Sequence, residues 1–220
     1  METAADNLTD KTPPPCPVRE TVLARFADVA QRSGGSTAVD NRELIGYLRR
    51  SDRPELPPLD AIKLQTEAMG NPVQPGAEQV AVLAWVAASF DAWAEHYPLE
   101  SPLAGRLRHL QPLAAALALT DPGFLLPGEH PFHDLLDSLQ DYAIGWLPSL
   151  GRAGKTVEKQ IDKAIEDARQ WFEEAGTDLT ATSEEVTATA ERDTARARRM
   201  SQRMVDTEQG RLRATSAKLE

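Results

Sequence analysis

Apolar residues recur at steps of three and four along most of this chain, which is the spacing of one face of an α-helix. The four longest stripes cover residues 83–97, 103–117, 132–146 and 157–172. Each predicts an amphipathic helix, and four such helices with short connections are expected to pack as a bundle. Trp85 lies off the first stripe, which places it either at a partner surface or on a second buried face. No stretch predicts a β-strand.

Shorter helical patterns precede the four stripes. Residues 18–32, 40–50 and 59–69 predict three short helices, separated by linkers that contain glycine and proline. Within the second long stripe, Pro112 lacks the N–H that a helix interior needs. It therefore either kinks that helix or begins a new one.

The character of the chain changes after Phe172. Residues 177–220 contain eight acidic and eight basic residues, no aromatic residue and a thin stripe of small or flexible apolar side chains. This pattern predicts an extended charged helix that projects into solvent or pairs weakly, with a coiled coil as one form of pairing. Residues 1–17 are polar and rich in proline, which predicts a disordered tail. A helical bundle is predicted between them, over residues 18–175.

Composition favours helices and argues against several classes of function. Hydrophobic residues make up 41% of the 220 residues and aromatic residues only 5%, which favours closely packed helices over a β-sandwich. The net charge of −10 should repel nucleic acid and anionic membranes. No apolar run approaches the roughly 20 residues that span a bilayer. The acidic N-terminus does not resemble a secretory signal, and a single cysteine, Cys16, permits no internal disulfide, so we expect a cytoplasmic protein.

The densest group of metal-type ligands lies in residues 129–137. His133 and Asp137 are one helical turn apart, and together with His130 they could hold one metal ion. The alternative is structural, because His130 precedes Pro131, and proline suits the first position of a helix. In that case His130 simply caps the helix. We expect no other cofactor.

Residues 149–156 nearly spell a phosphate-binding loop. However, Ser149 stands where the first glycine is required, and the preceding residues predict a helix rather than a buried strand. Gly154 is better explained by an interhelical turn and a helix start. No Ser–His–Asp or Cys–His arrangement is suggested either, which makes an enzyme the less expected class.

A basic cluster lies on the predicted charged helix. It comprises Arg196, Arg199 and Arg203, with Met200 and Met204 beside them. Such a cluster either contacts an acidic protein surface, nucleic acid or acidic lipid, or is a solvated face with charge pairs along the helix. Interleaved acids and the absence of aromatic residues argue against nucleic acid. Because methionine adapts to different surfaces, the sequence marks these five residues as a candidate partner-binding surface.

The chain carries three short motifs between two predicted helices: Asp121-Pro-Gly-Phe124, His130-Pro131 and Leu135-Leu136-Asp137. They resemble a bacterial family known as domain of unknown function 1631, and the resemblance runs from about Leu59 to the C-terminus. Some members carry the genome label thymidine phosphorylase, which nothing in this sequence supports. In the family, arginines usually follow the His-Pro pair where this chain has His133 and Asp134, so any binding role of those arginines is not expected here.

These patterns together predict an all-α protein with a helical bundle followed by a long charged helix. The expected function is that of a non-catalytic scaffold or regulatory interaction module, which binds a protein partner through its helical surfaces. A homo-oligomer is compatible with that function. The alternative is a metal- or small-ligand-binding protein, or an enzyme, with its site near residues 129–137.

Overall fold

A computed structural model describes residues 17–33, 35, 39–96, 99–126, 128–174 and 179–216. These residues contain no β-strand, so the all-α prediction is confirmed. The helices are α1 (Pro17–Arg25), α2 (Ala27–Ser33), α3 (Asn41–Arg49), α4 (Pro58–Ala68), α5 (Ala77–His96), α6 (Ser101–Leu107), α7 (Gln111–Thr120), α8 (Pro131–Ala143), α9 (Arg152–Glu174) and α10 (Leu179–Ser216). The tail predicted over residues 1–17 lies outside the described residues except for its last position. No described helix combines the length and the hydropathy that crossing a membrane requires.

Helix α5 forms the centre of the core. Val80, Val82, Leu83 and Val86 are almost completely buried, so this helix is covered on more than one face. Helix α7 packs beside it through a run of buried alanines and leucines, and the small alanine side chains favour close packing of the two helices. Each fully buried valine or leucine side chain contributes about 1.5–3 kcal/mol of transfer free energy.

Two interruptions of the predicted helices have simple causes. Pro112 lies in the first turn of α7, where its missing N–H costs nothing, and a 3₁₀ turn at Arg108–Leu110 joins α6 to α7. Of the two alternatives for this proline, the structure therefore shows a new helix. The pattern over residues 18–32 becomes α1 and α2, which meet at Phe26. The backbone N–H of Phe26 still donates to Val22 at 3.1 Å, so the break is a local distortion of one helical run.

A buried glutamine joins three helices in the N-terminal half. The Gln79 side-chain oxygen accepts from the N–H of Gly76 at 2.8 Å, and its amide nitrogen donates to the Asn41 side chain at 2.7 Å. Asn41 donates in turn to the carbonyl of Leu119 at 2.8 Å. This chain of bonds fixes the starts of α3 and α5 against the end of α7, and it satisfies polar groups that would be costly to bury alone.

The C-terminal helices assemble around α8. Helix α9 returns along the body and is linked to α6 by ion pairs from Arg106 to Asp162 and Glu158. Helix α10 runs parallel to α8, because Ser138 lies beside Ser183 and the later Tyr142 contacts the later Asp193. The predicted long charged C-terminal helix is therefore present, and its first part packs on the body.

Candidate functional site

The motif segment 121–137 folds into a turn that caps its own helices. The Asp121 carboxylate ends α7 and accepts from the N–H of Gly123 at 2.8 Å, which starts a 3₁₀ turn. His130 is the N-cap of α8, and its Nδ1 accepts from the N–H of Phe132 at 3.0 Å. The Nδ1 atom of His133 accepts from the N–H of Gly128 at 3.1 Å. The prediction that His130 caps the helix beginning at Pro131 is confirmed.

Phe124 is the hub of this turn and is almost completely buried. Its ring lies 5.0 Å from the His133 ring and 5.3 Å from the His130 ring, measured between centroids. Phe132 and Trp85 lie 5.6 and 6.4 Å away, the latter edge to face. Such aromatic contacts stabilise the packing by about 0.5–1.5 kcal/mol each beyond the area they bury. Trp85 therefore packs on a second face of α5, and its side chain stays half-buried rather than fully buried.

These rings form one wall of an open cleft of about 160 Å³ between α5 and α8, here called the aromatic cleft. It is lined by Trp85, Val86, Ser89, Phe90, Trp93, Ala114, Phe124, Phe132, His133 and Leu136. Trp93 donates from its indole nitrogen to Gln140 of α8 at 2.7 Å, which fixes the spacing of the two helices. The polar groups in the lining are the Ser89 hydroxyl, the His133 imidazole and the indole N–H groups of the two tryptophans, and the remaining surface is apolar. The cleft therefore suits an uncharged, apolar group.

Burial favours the neutral form of the two histidines. It lowers the pKa of His130, and the carboxylates of Asp121 and Asp134 offset this in part. Burial likewise lowers the pKa of His133, and the neighbouring His130 lowers it further. In both residues Nδ1 is a hydrogen-bond acceptor, so the neutral ring carries its proton on Nε2. Protonation of Nδ1 would break the two bonds that hold the turn.

The predicted metal ligands lie close together but are engaged otherwise. The rings of His130 and His133 are 6.0 Å apart, and each already uses Nδ1 as an acceptor. Asp137 is exposed on α8, and no three His, Cys, Asp or Glu side chains among the described residues are grouped so that they could hold a metal ion. A metal site at His130, His133 and Asp137 stays a prediction that no feature of this geometry favours.

The segment that resembles a phosphate-binding loop is the start of α9. Gly154 lies in its first turn, as the sequence predicts, and its carbonyl accepts from the Trp146 indole N–H at 3.0 Å. A Cβ atom on Gly154 would lie 3.1 Å from that indole nitrogen, which explains the glycine by packing. The glycine that makes this segment resemble a phosphate-binding loop is thus explained by the packing of Trp146 against the start of α9.

The first part of α10 belongs to the core. Val186 is 1% exposed, and Thr182 and Ser183 are also buried. Ser138 of α8 lies within hydrogen-bond distance of Ser183, at 3.0 Å, and of Thr187, at 3.1 Å. The sequence analysis did not predict this contact. Small hydroxyl side chains that recur on one face at the start of a helix are the signal that could have indicated it.

Beyond Asp193 the same helix becomes exposed, although Thr194, Ala195 and Arg198 still line an open groove with Ser138 and Asp141 of α8. From Thr194 onward, every side chain whose burial is described is exposed, and Met200 and Val205 are 56% and 48% exposed. Residues 194–216, here called the α10 extension, span roughly 35 Å at 1.5 Å per residue.

The extension carries the predicted partner-binding residues. Arg196, Arg199 and Arg203 are all exposed, as Met200 is, whereas the side chain of Met204 lies outside the described part of the chain. Residues 194–216 hold six arginines against two acids, within a chain of net charge −10. Positive charge and a large exposed apolar side chain therefore lie together on the α10 extension.

One comparison with known proteins gives a match. A family model described as the second domain of proteins of unknown function, DUF1631, matches residues 37–175, which is more than half of the chain. The match begins earlier than the resemblance in the sequence suggested, and it ends before α10. No curated protein and no solved structure is similar enough to match.

Proposed function

This chain belongs to the DUF1631 family of proteins of unknown function, and from that premise we propose that it is a non-catalytic interaction module whose α10 extension binds a protein partner. The body composed of α1–α9 and the first part of α10 acts as the support. The extension acts as the contact element. Binding takes place by pairing with a helix or by docking into a groove.

The observation that carries this proposal is the exposure of the extension. An isolated helix of about 20 residues is only marginally stable in water, because most helical stability in proteins comes from packing an apolar face. The first part of α10 obtains that packing from α8, where Val186 is buried. The described side chains of the extension are exposed and lack comparable packing, although Met200 and Val205 offer apolar surface. A partner helix would supply it.

The chemistry of the extension indicates the kind of partner. Arg196, Arg199 and Arg203 recur at steps of three and four, so they share one face with Met200 at its edge. Arginine forms paired hydrogen bonds with carboxylates, and methionine fits irregular apolar surfaces. An acidic protein surface with an apolar groove meets both requirements. Nucleic acid fits less well, because the chain as a whole is acidic and the extension has no aromatic ring for base stacking.

The aromatic cleft supports a binding role rather than a catalytic one. Its polar groups are one hydroxyl, one imidazole and two indole N–H groups; burial lowers the pKa of the imidazole, whose Nδ1 is held by the backbone N–H of Gly128. General acid–base catalysis needs a titrating group free to exchange a proton with a substrate. A cleft of about 160 Å³ is also smaller than the roughly 300 Å³ at which ligand pockets begin, and it suits a single inserted side chain.

Affinity capture tests the proposal. The tagged full chain, expressed in its own bacterium, is compared with the double variant Arg199→Glu and Met200→Ser, and captured proteins are quantified by mass spectrometry. We expect at least one cytoplasmic protein to be captured by the wild type and lost with the double variant. It should then bind the purified wild type in a calorimetric titration.

The matched control is Arg32→Glu on α2, which reverses one exposed arginine far along the chain from the extension. It should capture the same proteins as the wild type. If the double variant, the control and the wild type capture identical sets, the extension is not the contact element.

A further inference from the structure

The surface beside the aromatic cleft carries a row of like charges. Asp134, Asp137 and Asp141 are exposed and follow one another at steps of three and four, so they line one face of α8; they are here called the acid row. Burial raises the pKa of Asp137, and repulsion from Asp134 and Asp141 raises it further. In the part of the chain that the structure describes, no ion pair joins the acid row to an arginine or lysine. Asp141 shares an open groove between α8 and α10 with Arg198 of the same molecule, but without an ion pair. The carboxylates of the row are therefore not paired with a basic side chain among the described residues.

The α10 extension carries the complementary row. Arg196, Arg199 and Arg203 repeat the steps of three and four, and they are exposed as the acids are. From the first charge to the last, each row spans seven residue steps, or about 10.5 Å of helix, so all three charges of one row can lie opposite those of the other. On the extension, Met200 lies beside the arginines. On α8, His133 and Leu136, which line the aromatic cleft, lie beside the acids.

Within one molecule the two rows lie apart along the helix axes. Helices α8 and α10 run parallel, and Asp193 is opposite Tyr142, one residue before the end of α8. Residues 196–203 follow Asp193 and so continue past the end of α8, although the side chain of Arg198 still lines the groove beside Asp141. The arginines can therefore cover the acid row only in another molecule.

We propose that the α10 extension of one molecule docks over the aromatic cleft and the acid row of a second copy of this chain. The proposal rests on the proposed function and names the partner. The arginines pair with Asp134, Asp137 and Asp141, and Met200 enters the cleft, where its sulfur meets the aromatic rings. Because the two surfaces differ, the contact either closes by reciprocal exchange in a dimer or continues from molecule to molecule.

Analytical ultracentrifugation of the full chain, over a range of protein and salt concentrations, tests this inference. Two charge-reversed proteins are prepared, one with Arg196→Glu, Arg199→Glu and Arg203→Glu, the other with Asp134→Lys, Asp137→Lys and Asp141→Lys. We expect the wild type to associate and to dissociate as salt screens the charges. Each reversed protein should associate at least about tenfold more weakly, because like charges then face each other. An equal mixture of the two should associate again, since every contact between unlike copies is then attractive.

Two further variants separate this contact from general effects of charge. Reversal of Arg25, Arg32 and Arg42, which are exposed on α1–α3, removes the same charge as the arginine reversal and should leave association unchanged. Ser89→Leu fills the aromatic cleft and should weaken association without a change of charge. Far-ultraviolet circular dichroism confirms that each protein is folded.

A wild type that stays monomeric overturns the inference, as does a mixture of the reversed proteins that does not associate. Neither result touches the capture experiment. If a different protein is captured through Arg199 and Met200, the proposed function holds, but the inference that the partner is a second copy of this chain is wrong. If capture and association both fail, both are wrong.

Discussion

The substitution of one buried valine tests whether the first part of α10 belongs to the core. Val186 is 1% exposed, and Val186→Ala removes the equivalent of two methylene groups from a packed site. At about 0.8 kcal/mol for each group the transfer loss is about 1.6 kcal/mol, and the remaining cavity adds up to roughly 1 kcal/mol. Alanine is the better helix former and returns about 0.6 kcal/mol. We expect a net loss of about 1–2 kcal/mol in the free energy of unfolding.

The same helix provides the matched control. Val205 is 48% exposed in the α10 extension, so Val205→Ala changes the helix propensity by the same amount but removes little buried surface. It should leave stability unchanged or raise it by up to about 0.6 kcal/mol. The difference between the two variants isolates the packing of Val186.

Urea unfolding followed by circular dichroism and tryptophan fluorescence measures both variants. For a slope of about 2 kcal/mol per molar urea, Val186→Ala should lower the midpoint by roughly 0.5–1 M, and Val205→Ala should not lower it. Equal midpoints for the two variants would refute the burial of Val186 in the core. The hydrophobic core would then not extend to α10.

Three further predictions concern the motif turn and its neighbours. Because burial lowers the pKa of His130 and His133, the unfolded chain binds more protons below about pH 6.5, so urea unfolding should show stability falling as the pH drops through that range. His130→Asn keeps a helix cap without this titration and should show a smaller loss, whereas an unchanged pH profile would contradict the assignment. His133→Ala should lower the melting temperature to the same extent with and without added zinc; zinc that stabilises only the wild type would instead support the predicted metal site. Tyr142→Phe removes the hydrogen bond to Asp193 and should cost about 1 kcal/mol in urea unfolding, and no cost would mean that this bond does not hold α10.

Periodicity predicts the helices of this chain well, because burial of one face leaves a regular trace in the sequence. Pro112 marks a helix boundary for a covalent reason, and Pro131 marks the start of α8 in the same way. His130 could be identified as a cap from its place before that proline. Local chemistry of this kind is visible without any knowledge of tertiary structure.

The aromatic cleft could not be predicted in the same way. Trp85 and Phe124 are far apart in the sequence, and they meet because α7 and the following turn bring Phe124 back to α5. The spacing within α5 indicates only that Trp85 is off the main stripe. Which ring it contacts depends on how the helices pack, and a single sequence does not encode that in a local pattern.

The attachment of α10 escaped prediction for a chemical reason. Much of its contact with α8 is made by hydroxyl groups, with Ser138 placed against Ser183 and Thr187. Serine and threonine do not contribute to an apolar stripe, so the sequence pattern predicts that they are solvated. Val186 is a single strongly apolar residue among these hydroxyl side chains. The sequence therefore shows only a thin apolar stripe, although Val186 is almost completely buried.

The attachment of α10 also decides where this protein can be cut for laboratory work. The family match ends at residue 175, and a fragment stopping there would keep α8 but strip the cover from Ser138 and Tyr142. Such a fragment exposes the surface of α8 that α10 covers, and we expect it to aggregate and to express poorly. A fragment that ends just after Asp193 keeps the contact between α8 and α10 and lacks only the α10 extension.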